Sequence, residues 1–243
     1  MAGPSPCEVV ASPRLLLFDI DGTILLTHGV GRTMLSRAFA DVLGRQVAVD
    51  GVAFSGRTDP EIALEIAQTN GVEGRECAAI VELVLDRYCQ SWTDEWKRVE
   101  VEALPGVENL LGRLVEESDV HLALVTGNVE TVAYRKLSCI GVDAHFPGGA
   151  FGSDHHDRNK LPAIAVERMS ALNGARYHPS DVIVIGDTPR DILCGQQIGA
   201  RTIAVCTGYF GRDELLSAGA DFVLDTLDTH HGAFELLTNG VAL

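Results

Sequence analysis

Two acidic clusters each close an apolar run. Arg14-Leu15-Leu16-Leu17-Phe18 runs into Asp19-Ile20-Asp21-Gly22-Thr23, and Val182 to Ile185 runs into Gly186-Asp187-Thr188-Pro189-Arg190-Asp191. A tight turn at a strand end can aim Asp19 and Asp21 into one site, and hard oxygen ligands at the ends of two strands are what Mg²⁺ requires. Pro189 fits the first helical position, which puts Asp191 in the first turn, where its charge serves either an ion or the helix dipole. Thr126-Gly127-Asn128 sets a hydroxyl and glycine-flanked backbone N–H groups ahead of a helix. This is an anion cradle or an ordinary strand-to-helix turn. Asp157-Arg158-Asn159-Lys160 concentrates positive charge between that loop and the second acidic cluster, so either Arg158 or Lys160 can balance a bound phosphate. Lysine is otherwise scarce: Lys97, Lys136 and Lys160 are all of it.

The runs that carry these residues read as strands covered on both faces. Val120 to Val125 is a third, and Thr202 to Val205 and Phe222 to Leu224 are two more. Helical spacing lies between them: Val107, Leu110, Leu111 and Leu114; Val132 to Ile140, closed by Gly141; and Leu161, Ile164, Ala165, Met169 and Leu172, closed by Gly174. Strands alternating with helices predict an α/β fold with a parallel sheet and right-handed crossovers, whose function sits at the carboxyl ends of the strands. Residues 27–103 break the rhythm. Met34, Leu35, Ala38, Phe39, Val42 and Leu43 have helical spacing; Asp59-Pro60 reads as an N-cap and first-turn pair for a helix carrying Ile62, Ile66 and Ala67; a third helix is expected from about Gly74 to Trp96. The division expected is a loose tail over 1–13, a core of 14–26 and 104–243, and a helical insert over 27–103.

With 243 residues, 46% hydrophobic and 22% charged, the chain has ordinary globular composition and no run long enough for a membrane span. A net charge of −15 opposes docking on nucleic acid or an anionic membrane face. The six cysteines never fall in CxxC or CxxH spacing and read as reduced, mostly core thiols. The opening residues lack a basic segment followed by an apolar one, from which a cytoplasmic location is expected.

In order along the chain, DIDGT at 19–23, Thr126, a basic residue at 158–160 and GDTPRD at 186–191 resemble the motifs of the haloacid dehalogenase-like (HAD) hydrolase superfamily. The likeness covers nearly the whole chain. It implies a HAD-like Rossmannoid core, and the helical insert looks like that superfamily's C1 cap, as in phosphoglycolate phosphatase and β-phosphoglucomutase relatives. The stretch between Thr126 and Asp187 is filled by α/β elements, which leaves no room for a large second cap. By resemblance, Asp19 is the nucleophile that becomes an aspartyl phosphate, and Asp21 protonates the leaving group and then activates water. Mg²⁺ is held by Asp19, the Asp21 carbonyl and Asp187, with Asp191 ligating or acting from behind. Thr126 and Arg158 or Lys160 hold the phosphate, helped by Gly22, Thr23, Gly127 and Asn128. The helix that follows the basic segment, matched by its apolar phase, favours Arg158.

The resemblance implies a Mg²⁺-dependent phosphatase for a small phosphorylated metabolite, a phosphorylated acid or sugar such as phosphoglycolate, acting as monomer or homodimer. Arg57, in the polar loop Ser55-Gly56-Arg57-Thr58-Asp59, is the candidate contact to a substrate carboxylate or second phosphate. Asp21 argues against a dehalogenase, which lacks the second acid of the pair. Lys97, at the far end of the insert, argues against a phosphonatase, which uses a cap lysine. A phosphosugar mutase of the β-phosphoglucomutase type keeps Asp21 and the cap and stays an alternative, although Thr23 speaks against it. A non-catalytic phosphate-binding regulator is expected to have lost an acid, and none is missing. No P-loop is present.

Overall fold

A computed structural model describes residues 13–228 and 232–239. The expected tail therefore lies, apart from Pro13, outside the described residues. β1 (Arg14–Phe18) and β2 (Leu25–Leu26) precede three helices, α1 (Val30–Leu43), α2 (Asp59–Thr69) and α3 (Glu76–Glu95). The chain returns through β3 (Glu102–Ala103), which pairs antiparallel with β2. Then follow α4 (Val107–Leu114), β4 (Val120–Val125), α5 (Glu130–Cys139), β5 (Gly149–Ala150), α6 (Leu161–Asn173), β6 (Val182–Gly186), α7 (Pro189–Gln197), β7 (Arg201–Val205), α8 (Arg212–Ser217), β8 (Phe222–Leu224) and α9 (Ala233–Asn239). Six strands form one parallel sheet in the order β5-β4-β1-β6-β7-β8.

Side chains of β1 alternate between two apolar layers, as a strand's period of two demands. Leu16 and Phe18 join Leu122, Leu124, Ile183 and Ile185 under α4 and α9, while Leu15 and Leu17 join Ala123, Val125, Val182 and Val184 under α6. A third core holds the helical insert together through Met34, Leu35, Phe39, Ile62, Ile66, Val84, Tyr88 and Trp92. Val129 and Val132, at the start of α5, belong to this core too, so α5 touches both parts of the molecule.

Strand order fixes where a site can form. From β1 the chain continues to β4 on one side and later to β6 on the other, and ligands bind at such a switch point beyond the strand ends. Phe18 is level with Leu124 and with Ile185. Asp19, Thr126 and Asp187 are thereby delivered to one rim.

Three local expectations are corrected. The N-cap of α2 is Thr58, whose side chain accepts from Glu61 N, because the Asp59 carboxylate turns to accept Val129 N instead. β5 was not anticipated; two residues, Gly149 and Ala150, carry no periodicity to read. Of the five described cysteines, all free, only Cys77 and Cys194 are buried, so "mostly core" holds for two. No described helix is long and apolar enough to cross a membrane.

Candidate active site

Asp19 leaves β1 with its N–H bonded to Ile185 O, and the following turn closes through Gly22 N to Leu25 O and Thr23 N to Ile20 O. Gly22 takes φ +84°, and a Cβ there would collide with the Asp187 carboxylate. Glycine is required on both counts. Asp19, Asp187 and Asp191 are buried and offer oxygens all within 4.8 Å of one another. The Asp19–Thr23 and Gly186–Asp191 motifs are thus brought together.

Arg158 stands between these acids, 4% exposed, donating to Asp19 Oδ1 at 2.9 Å and to Asp191 Oδ1. Lys160 is exposed and takes no part. A short helical turn over Arg158–Lys160, capped by Asp157, points the two side chains in different directions. Asp191 is fully engaged: its Oδ2 accepts Thr188 N at 3.0 Å and Thr188 Oγ1 at 2.7 Å, closing a capping box on α7, while Oδ1 holds Arg158. It anchors Arg158 and the helix start.

Electrostatics follow from burial. Asp19 is pushed up to about 6, mainly by desolvation, with Asp191 and Asp21 adding to it and Arg158 opposing. Asp187 is raised well above the carboxylate range by burial and by Asp191 and Asp19. Burial pulls Arg158 down, but Asp191 and Asp19 more than offset this and hold it charged. Among the described residues, four buried side-chain polar atoms lack a hydrogen-bond partner; Thr23 Oγ1, Arg158 Nε and Asp187 Oδ1 are three of them. Such atoms in a native interior call for a partner, a water or an ion. A buried carboxylate oxygen without a donor, beside Asp19, fits a hard divalent cation by the chemistry of the donor set.

On the other flank, Thr126 is buried at the end of β4, and its Oγ1 accepts Asn128 N at 3.3 Å and Asn128 Nδ2 at 2.8 Å. Gly127 has no room for a Cβ, because the Arg57 carbonyl lies against it. Asp59 N donates to Gly127 O at 2.7 Å, Val129 N to Asp59 Oδ2 at 2.9 Å, and Thr58 Oγ1 to His156 O at 2.7 Å. The insert is seated directly on the core loops. Between them lies a cavity of about 560 Å³, reached by Asp19, Asp21, Thr126, Asn128, Arg158 and Asp187 from below and by Arg32, Phe54, Asp59 and Tyr88 from above.

Arg57 lines the cavity, its guanidinium donating from Nε to Glu61 at 2.8 Å and from Nη1 to Glu65 and to Ala53 O. The two acids belong to α2, so the guanidinium is tied to that helix at the cavity wall.

Sequence reasoning missed three groups. Thr207 Oγ1 donates to Gly22 O at 2.6 Å, and a Cβ on Gly208 would strike Asp187. Asp59 is buried and pushed up to about 6 by desolvation, with Lys136 opposing. Lys136, 4% exposed, donates to Asp21. Its signal was present, because Lys136 lies on the same α5 face as Val132, Ala133 and Leu137, where a charge needs a partner.

A family model for haloacid dehalogenase-like hydrolases matches residues 16–205. Phosphoglycolate phosphatase 1 of Pseudomonas aeruginosa is 24% identical over 233 residues, covering 93% of this chain and 82% of that one. Pyrophosphatase PpaX of Halalkalibacterium halodurans is 23% identical over 212 residues, covering 87% and 92%. The crystal structure of CbbY from Rhodobacter sphaeroides in complex with phosphate superposes with a TM-score of 0.67 at 19% identity, covering 92% of this chain and 96% of that one, and shares the fold. With the family match spanning both acidic motifs and everything between them, the chain belongs to the haloacid dehalogenase-like hydrolases.

Proposed function

We propose that this HAD-family phosphatase hydrolyses a small phosphomonoester through an aspartyl phosphate on Asp19, with Mg²⁺ as cofactor. The observation that carries the reading is Asp19 at the sheet's switch point, with the donor-less Asp187 oxygen beside it and Arg158 bonded to it. Asp19, Asp187 and the Asp21 carbonyl would hold the ion. Bound there, Mg²⁺ neutralises charge so that an anionic nucleophile can meet an anionic phosphate.

In the first step an Asp19 oxygen forms a bond to phosphorus as the ester P–O bond breaks, and Asp21 delivers a proton to the departing alkoxide. Water then attacks the phosphorus, Asp21 takes its proton, and the P–O bond to Asp19 breaks to release inorganic phosphate. Arg158, Thr126 and the amides of Gly127 and Asn128 orient the phosphoryl oxygens; positioning and charge supply most of the acceleration in this chemistry.

The engaged Arg57 shifts the substrate reading. Asp59 and Tyr88 face the leaving group from the insert, while Arg32 is spent on the carbonyls of Val49 and Val52 at 2.9 and 3.0 Å. A buried acid and a phenol suit a hydroxylated leaving group, such as a sugar or polyol, better than a carboxylate. The test is phosphate release from phosphoglycolate, sugar phosphates, glycerol phosphates and nucleoside monophosphates, with Mg²⁺ and with EDTA. Mg²⁺-dependent release with a sugar or polyol ester ahead of phosphoglycolate is expected. Isomerised sugar phosphate without release would mean a mutase.

A further inference from the structure

The proposed steps leave one buried cation unused. The Lys136 ammonium donates to Asp21 Oδ1 at 2.8 Å, to Asp21 Oδ2 at 2.6 Å and to Asn128 Oδ1 at 2.6 Å. An ammonium has three N–H bonds, and here there are three acceptors. Asn128 closes a ring, its Nδ2 donating to Asp21 Oδ2 at 2.7 Å and to Thr126 Oγ1 at 2.8 Å. The insert supplies the roof: the Trp92 ring centre is 5.6 Å from Lys136 Nζ, and Asp59 opposes its charge from the side.

Two other roles are excluded by this geometry. A phosphate-binding lysine needs a donor pointing at the phosphate, and all three are spent. A Schiff-base lysine must be a free amine, and this one is bound in a salt bridge between a carboxylate and an amide oxygen. What the ring does is hold the Asp21 side chain, 41% exposed, in one orientation. Proton transfer falls off steeply when donor and acceptor are misaligned.

We propose that Lys136 is the positioning residue for Asp21: together with Asn128 it fixes the Asp21 carboxyl towards the leaving-group oxygen, and Trp92 and Asp59 couple that orientation to the seated insert. The proposal rests on the reading of Asp21 as the proton-transferring group. The experiment compares Lys136→Met, Lys136→Gln and Asp21→Asn with the wild type in Mg²⁺. Two substrates are used, the best alkyl phosphate found and p-nitrophenyl phosphate, whose leaving group departs without a proton, and the rate read is release of the leaving group in the first turnover, before the water-activating step that both esters share. For Lys136→Met, this rate on the alkyl ester should fall roughly 10²-fold, the low end of what placed proton transfer contributes. The aryl first-turnover rate should stay within about threefold. Lys136→Gln, which keeps a donor, should show the same selectivity with a smaller loss, and decides the matter should the Met variant not fold. Equal first-turnover losses on both esters, or an undiminished alkyl rate, would overturn the proposal. If Asp21→Asn itself slows the first turnover of both esters alike, the acid reading of Asp21 falls, and the Lys136 proposal falls with it. A selective Asp21→Asn beside an unselective Lys136→Met sinks the proposal alone.

Discussion

Replacing Arg158 by leucine separates the two basic residues that the sequence left side by side. Arg158 is 4% exposed and bonds Asp19 and Asp191, themselves 5% and 1% exposed, whereas Lys160 faces solvent. Removing one partner of a buried ion network leaves its acids uncompensated, at a cost of about 3–5 kcal/mol, while an exposed lysine is worth well under 1 kcal/mol. At about 2–4 °C per kcal/mol for a chain of this size, Arg158→Leu should lower Tm by roughly 6–20 °C and Lys160→Ala by no more than about 2 °C. Thermal unfolding followed by circular dichroism at pH 7.5 reads this directly. On the mechanism proposed, kcat/KM for a phosphomonoester should also fall by roughly 10²-fold or more in Arg158→Leu and stay near wild type in Lys160→Ala. A stable, active Arg158 variant, or a Lys160 variant that loses most of its turnover, would refute the assignment and with it the burial argument behind it.

Three other outcomes are expected. Millimolar Mg²⁺ should raise the Tm of the wild type by mass action, and Asp187→Asn should abolish that rise whether or not activity is measured; an equal rise in the variant would place the ion elsewhere. Asp59 has a folded pKa of about 6 against an unfolded value of 3.8, so folding binds its proton more tightly and stability is lost as pH climbs through that window. Asp59→Asn should therefore be more stable than wild type at pH 8, by up to about 3 kcal/mol from two units of pKa, with the gain gone at pH 4; denaturant midpoints at the two values check the sign. Arg57→Ala should cost stability through Glu61 and Glu65 without raising KM more for an acidic substrate than for a neutral ester; a selective rise in KM would restore Arg57 as a substrate contact.

The rim of the sheet was legible in the sequence because each of its parts is a local pattern. An apolar run stopped by Asp-x-Asp-Gly or Gly-Asp, and a helix started by Pro189, need no knowledge of distant residues. What stayed hidden depends on pairing at long range. Arg57 looked free because its partners Glu61 and Glu65 take it only once α2 forms, and the preference for Arg158 over Lys160, read from the phase of the following helix, found its physical reason only once Asp19 and Asp191 were brought beneath it. Lys136 was noticed as one of three lysines, yet its meaning required Asp21 from β1, Asn128 from the β4 loop and Trp92 from α3. Thr207 and Gly208 follow a strand with no acidic signature, so nothing local marked them.

The central claim is that phosphorus passes through Asp19. Acid quench of the enzyme in steady-state turnover with Mg²⁺ and its best phosphomonoester, followed by peptide mass analysis, should find one phosphoryl group on the peptide containing Asp19 and none in Asp19→Asn or with EDTA. Rapid hydrolysis with that peptide never modified, or undiminished turnover in Asp19→Asn, would contradict it.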